Sequence, residues 1–258
     1  MVGFKPSFGA VPRTGVLKTT DTLDTIGVLT RTVGDAALAF DAIRVHGVDY
    51  PLLEAAYAER AAGPRRATWR LAVVTGPRSG DAEPYARAAL AALAGRLDAE
   101  TDLEVHELVL PAPFDRAHAI HDVIYERSLA YYFKDETALG TPMSSSFEGM
   151  LERGRATSLA AYRAALHDQT ALAAELERTL APYDALLDLS TGGEALVGLD
   201  AVDRPDHCLV WTLCGAPVLS LPRFRGPAGL PFGLQVVARR FDDYRLLELG
   251  RRLERVGA

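Results

Sequence analysis

Leu71-Ala72-Val73-Val74, closed by Gly76-Pro77, is followed by a helical run over 84–97 and then by an extended run over 104–110 that stops at Pro111. A short apolar run bounded by Gly and Pro reads as a buried strand. Pro84 suits a helix's first turn, where the missing N–H has no partner to lose. Strand, helix and strand in this order pair their strands in parallel, because the crossover helix carries the chain back to the same end of the sheet. The unit makes the fold class α/β, with a mixed, largely parallel sheet flanked by helices.

The pattern extends to both sides. Thr32 is a candidate N-cap with Asp35 three residues on, and Val33, Ala36, Ala37, Phe40 and Ile43 recur at helical spacing. The first thirty residues, rich in Gly, Pro and Thr, read as short strands and turns, and Pro51 and Ala61-Ala62-Gly63-Pro64 as breaks. Two long helices follow over about 114–133 and 158–180, with Ser158 as a cap and Pro182 as a stop. A strand over 185–189 runs into Ser190-Thr191-Gly192-Gly193, a helix is expected over 209–213 and strands over 218–221 and 234–237, and Asp242 caps a closing helix to Val256. Repeats and linker-like segments are absent, so the 258 residues read as one domain.

Composition narrows the function. At 48% hydrophobic residues the chain can bury a sizeable core. Its net charge of -6 comes from interspersed charges without a Lys/Arg block, which argues against a nucleic-acid partner. No apolar run approaches the ~20 residues of a membrane span, and Met1-Val2-Gly3-Phe4-Lys5-Pro6 lacks a secretory signal's apolar stretch, so no membrane partner and a cytoplasmic address are expected. Cys208 and Cys214 read as buried, reduced thiols.

Common catalytic signatures are missing: there is no GxSxG elbow, phosphate-cradling glycine loop, dinucleotide fingerprint or metal-spaced cysteine set. His118 and His121 share a helical face without a third ligand, and Ser144-Ser145-Ser146 near Lys134 read as a loop between helices. Asp122 and Glu126, four apart beside Arg127, read as a solvated face. The residues alone therefore give an α/β domain without an assignable chemistry.

The opening segment adds more. Gly3-Phe4-Lys5-Pro6-Ser7-Phe8-Gly9, then Val11-Pro12-Arg13 and Gly15, resembles the G-L-K-P-T-x-G-x-V-S-R-x-G block of amidase-signature enzymes. Leu23-Asp24-Thr25-Ile26-Gly27 with Arg31-Thr32-Val33-Gly34-Asp35-Ala36-Ala37 is similar to the family's S-L-D-T-x-G-P-x-A-R-T-V-x-D-A-A. Tyr183-Asp184-Ala185-Leu186-Leu187 looks like the strand before the family's T-P-T loop. Leu213-Cys214-Gly215-Ala216-Pro217 through Pro222 resembles N-L-T-G-x-P-A-x-S-x-P, and Gly229-Leu230-Pro231-Phe232-Gly233-Leu234-Gln235 resembles G-L-P-x-G-L-Q.

That family uses a serine nucleophile, a bridging serine and a lysine base, all upstream of the G-L-K-P-T block. The resemblance thus implies the carboxy-terminal half or subunit of a hydrolase acting on amide C–N bonds, its fold incomplete on the amino-terminal side. It implies scaffold and pocket but no catalytic residue here, and Lys5 belongs to the scaffold motif. The alternative is a non-catalytic amidase-like protein recruited for binding or assembly. The expected pocket is Ser190, Thr191, Gly192 and Gly193 with Tyr125 and Tyr131, since open α/β sheets bind ligands beyond strand carboxyl ends. No cofactor or metal is implied. The expected partners are a second polypeptide supplying the missing half, or otherwise a copy of the chain, and a small-molecule amide once assembled. Ser190-Thr191-Gly192-Gly193 replaces T-P-T-x-P, Pro12 replaces a serine and Gln169 stands near a frequent arginine, which implies an altered substrate loop.

Overall fold

The computed structural model describes residues 1–46, 51–198 and 204–256. Seven strands, β1 (Val2–Lys5), β2 (Val28–Thr30), β3 (Trp69–Thr75), β4 (Leu103–Val109), β5 (Ala185–Leu189), β6 (Val218–Arg225) and β7 (Pro231–Val237), form one sheet in the order β2-β1-β6-β7-β5-β3-β4. The strand–helix–strand unit is present as read, with β3 and β4 parallel and α3 (Pro84–Asp98) between them. β3 also pairs β5 in parallel.

The mixed sheet flanked by helices matches expectation, but its balance is a correction. β1–β2, β1–β6, β6–β7 and β5–β7 are all antiparallel, so parallel pairs are the minority. Residues 226–230 between β6 and β7 are too few for a crossover and permit only a hairpin.

The remaining helices are α1 (Val33–Ile43), α2 (Pro51–Ala62), α4 (Ala117–Tyr132), α5 (Lys134–Ala138), α6 (Ser145–Ala156), α7 (Leu159–Leu180), α8 (Leu209–Leu213) and α9 (Asp243–Glu254). Thr32 caps α1 in a full capping box with Asp35, and Ser158 caps α7 through Ala161 N at 3.1 Å. Asp242 stands at the cap position of α9, yet its carboxylate turns to Arg239 Nε at 3.1 Å instead. Two expected breaks are helix starts: Pro51 opens α2, and Ser144 caps α6 through Phe147 N at 3.3 Å.

Each sheet face buries its own core. α1, α3 and α9 cover one with Phe40, Leu93 and Leu246, while α4, α7 and α8 cover the other with Ile124, Leu176 and Trp211. The alternation of a strand is visible in β5, where Leu187 joins the first core and Leu186 the second. Every residue of β5 is buried, as expected of a strand covered on both faces. α6 crosses α4 at Gly154, where an added Cβ would stand 1.9 Å from the Glu126 carbonyl oxygen.

The amino-terminal segment is tied to the closing helix. The buried Asp243 carboxylate accepts from Ser7 N (2.7 Å), Ser7 Oγ (2.6 Å) and Tyr57 Oη (3.0 Å). Among the described residues, no helix is long and apolar enough to cross a membrane.

Candidate substrate cleft at the Ser190 loop

β5 delivers Ser190 to the end of the sheet, where Ser190 N donates to Gly233 O at 2.8 Å. Its hydroxyl meets that of Ser220, from β6, at 2.7 Å. Gly233 lies between them, and any Cβ there would stand 2.7 Å from Ser190 Oγ and 2.9 Å from Ser220 Oγ. The glycine is what lets the two hydroxyls meet.

Behind the pair lie two buried polar residues. Gln235 Nε2 donates to Asp188 Oδ2 (3.1 Å), Leu189 O (2.8 Å) and His207 O (3.0 Å). Strand register sets Gln235 opposite both Asp188 and Ser220, so Asp188, Gln235 and Ser220 form one row across β5, β7 and β6. Burial pushes the Asp188 carboxyl up to about 7, against the opposing pull of the hydrogen bonds from Leu189 N and Gln235.

The raised value has a thermodynamic consequence. The folded chain keeps this proton over a range in which the unfolded chain, with an ordinary value of about 4, has lost it. Asp188 therefore favours folding at low pH, and that contribution is lost as pH rises from about 4 through about 7. We expect Asp188→Asn to flatten the stability profile across this window by a few kcal/mol, on the order of 1.4 kcal/mol for each tenfold change in proton affinity. Urea midpoints at pH 5, 6, 7 and 8 for both proteins check this, and parallel profiles would refute it.

Of the four expected loop residues, Ser190, Thr191 and Gly193 line a cleft of about 590 Å³ together with Glu194, Arg204 and Pro231. Gly192 supports it from below: its carbonyl accepts from Glu83 N at 2.8 Å, and a Cβ would stand 3.3 Å from His207 Nε2. Gly193 packs on Tyr85, where a Cβ would stand 2.4 Å from the hydroxyl oxygen. Glu194 fixes the far wall, its carboxylate accepting from Ala228 N (3.0 Å) and Leu230 N (3.2 Å).

Tyr125 and Tyr131 are not among the residues that line this cleft. Tyr125 is half-buried on α4 and stacks on His121 with ring centroids 5.5 Å apart. Tyr131 is 63% exposed, with Lys134 Nζ 4.8 Å from its ring centre.

No hydroxyl or thiol lining or flanking the cleft has a base in reach, among the described residues. Ser190 and Ser220 hydrogen-bond each other, and Cys208 Sγ donates to Ser190 O at 3.4 Å. Burial pushes both Cys208 and Cys214 up to about 12, which keeps them as thiols. Lys5 is half-buried and donates to Ala216 O, and loss of solvent around its ammonium draws it down to about 8. Lys18 and Lys134 pair with Asp21 and Asp135 at 3.7 Å and 3.8 Å. Ser7 does have a carboxylate partner in Asp243, but both are fully buried and closed to substrate. No cluster of three metal-ligating side chains occurs among the described residues.

Ser220, Gln235 and Asp188 were not among the expected pocket residues, although Ser220 and Gln235 fall within the family blocks quoted above. The available signal was polarity out of place, an aspartate inside an otherwise apolar strand and a glutamine ahead of two valines.

The Amidase family model matches residues 1–247. A glutamyl-tRNA(Gln) amidotransferase subunit from Rhodospirillum rubrum is 30% identical across all of this chain and 58% of that protein. The corresponding protein of Brevibacillus brevis is 28% identical over 98% of this chain and 59% of its own length. Among solved structures, an amidase superimposes with a TM-score of 0.81 at 27% identity, over 99% of this chain and 58% of that one. Peptide amidase from Stenotrophomonas maltophilia shares the fold, with a TM-score of 0.75 at 22% identity over all of this chain and 58% of its own. The chain thus spans about three fifths of the relatives it matches.

Proposed function

Because the chain belongs to the amidase family, we propose that it is the scaffold and substrate-pocket part of an amide C–N hydrolase whose nucleophile, base and oxyanion donors come from another polypeptide segment. The observation that carries this reading is the Ser190 cleft with its Ser190–Ser220 hydroxyl pair. It keeps a polar floor at the end of β5, yet its hydroxyls meet only each other, at 2.7 Å. Acyl transfer needs a nucleophile relieved of its proton by a positioned base, together with donors aimed at the developing oxyanion. In this reading Ser190, Thr191, Gly192 and Gly193 shape the pocket, while Tyr125 and Tyr131 on α4 come into play only where substrate or partner spans from the cleft to that helix.

The surface supports a partner. Leu29 on the edge strand β2 is 75% exposed, and Val16, Leu17 and Met1 are also exposed. An edge strand with exposed apolar neighbours is a template for pairing. The two amidotransferase relatives named above are themselves called subunits. The partner is a polypeptide carrying the missing half, and a second copy of the chain is the alternative occupant.

Two measurements test the proposal. The purified chain is expected to hydrolyse an aryl amide no faster than buffer does, and to gain turnover when its native partner is restored. Sedimentation should give a native particle heavier than 27.8 kDa. Turnover by the chain alone that Ser190→Ala or Ser220→Ala abolishes would sink the idea. A native complex that assembles fully and stays inert on amides would favour the non-catalytic, binding role instead.

A further inference from the structure

A second concavity of about 410 Å³ lies at the opposite end of β5 from Ser190. It is bounded by the end of α2, the turn before β5 and the start of α9, and five arginines and three carboxylates line it. The carboxylates on its floor are already answered. Asp184 is held by Arg245 at 2.7 Å, and Asp242 lies 3.1 Å from Arg239 and 3.9 Å from Arg60. Arg60 is answered in turn by Glu177 at 2.6 Å.

The loosely paired arginines sit on the segment after α2. Arg66 donates to Pro182 O at 2.9 Å and has no carboxylate within salt-bridge distance among the described residues. Arg65 reaches only Glu248, at 3.2 Å, and both side chains are at least half exposed, so that pair is weak. The one further acid on the wall is the exposed Glu59. Arg66, without a carboxylate partner, and the weakly paired Arg65 are thus the guanidinium groups of this cleft best able to meet an added anion.

Aromatic walls complete the cleft: Tyr183, Phe241 and Tyr244 line it. Phe241 is the one non-glycine residue at positive φ among those described, at 67°. A bulky residue in that region is strained, and such residues gather where a structure over-determines their placement. Here Ser7 Oγ accepts from Phe241 N at 2.7 Å and so ties the ring's position to the buried Asp243 network.

We propose that this cleft binds a small organic anion, a carboxylate or phosphate carried on an aromatic ring, with Arg65 and Arg66 taking the oxyanion and the Tyr183–Phe241–Tyr244 wall taking the ring. A guanidinium presents paired donors that match either oxyanion, and a cavity of this size suits a compact ligand. The site shares no lining residue with the Ser190 cleft and does not depend on its function.

Calorimetric titration of the full chain with benzoate, phenyl phosphate, inorganic phosphate and phenol decides the matter. Saturable binding of one or both aromatic anions is expected, one per chain, weakening as salt is raised. Phenol and inorganic phosphate should each bind at least tenfold more weakly, since each lacks half of the recognition. Arg65→Gln with Arg66→Gln should weaken the aromatic anion at least tenfold and leave the thermal midpoint of the unliganded chain unchanged, both side chains being exposed. Failure of both aromatic anions to bind more tightly than about 1 mM would overturn the proposal. So would equal binding by the double variant, or inorganic phosphate binding as tightly as phenyl phosphate.

Discussion

Gly154→Ala is expected to destabilise the chain by about 3 kcal/mol or more, although alanine is the better helix former by about 1 kcal/mol. The reason is the crossing of α6 over α4. A Cβ at Gly154 would stand 1.9 Å from Glu126 O, 2.5 Å from Glu126 C and 3.0 Å from the Ala130 Cβ. The first two are backbone atoms inside a helix, so no side-chain rotation relieves the clash and the helices must separate. Gly95 on α3 is the control, because a Cβ there meets nothing within 4 Å. Gly95→Ala should therefore raise stability by roughly 0.5–1 kcal/mol. Urea unfolding of the two variants beside the parent reads both effects, and Gly154→Ala unfolding at or above the parent's midpoint would contradict the packing described here.

Asp243→Ala is the second large effect, expected at roughly 3–5 kcal/mol. The carboxylate accepts from three donors, Ser7 N, Ser7 Oγ and Tyr57 Oη, at 2.7, 2.6 and 3.0 Å. Burial raises the Asp243 pKa, and the Ser7 and Tyr57 hydrogen bonds pull it back down. Two effects compete in the substitution: alanine removes a desolvated carboxyl but strands buried donors, each at about 1–3 kcal/mol. With three donors left, the loss wins. Asp243 also begins α9, where unpaired backbone N–H groups favour negative charge. Asp243→Asn keeps one acceptor oxygen, and its amide can donate to Ser7 Oγ, so it should cost clearly less than alanine. Thermal midpoints rank the three proteins, and equal losses for Asn and Ala would show that the hydrogen bonds are not what Asp243 contributes.

What was legible in the sequence was local. The β3–α3–β4 unit and the caps at Thr32 and Ser158 depend on residues within a few positions of one another, and each formed as read. Pro51 and Ser144 were misread because a proline and a polar run mark a helix start as readily as a break. The sheet's mostly antiparallel pairing was hidden, since it rests on pairs such as Phe4 with Leu219, at opposite ends of the sequence. The same limit applied at the cleft. Ser190, Thr191 and Gly193 follow from a rule about strand ends, whereas Ser220, Gln235 and Asp188 join them only through strand register. Tyr125 and Tyr131 sit on a helix whose facing partners periodicity does not specify. His118, on the same helix, lies 3.3 Å from the Asp206 carbonyl, and His121 stacks on Tyr125.

The place of β1 between β2 and β6 also sets a timetable for biosynthesis. Val2 and Phe4 are buried in the finished protein, but the strand that flanks them, β6, lies more than two hundred residues downstream. At roughly 5–20 residues per second on the ribosome, about ten to forty seconds pass between the emergence of β1 and that of its partner. The hairpin with β2 can form early, yet a two-stranded hairpin is marginal by itself. The β3–α3–β4 unit and the α4–α7 helices can assemble during that interval, while the amino-terminal apolar segment waits uncovered. Completion of the sheet is therefore a late event, set by the arrival of β6 and β7.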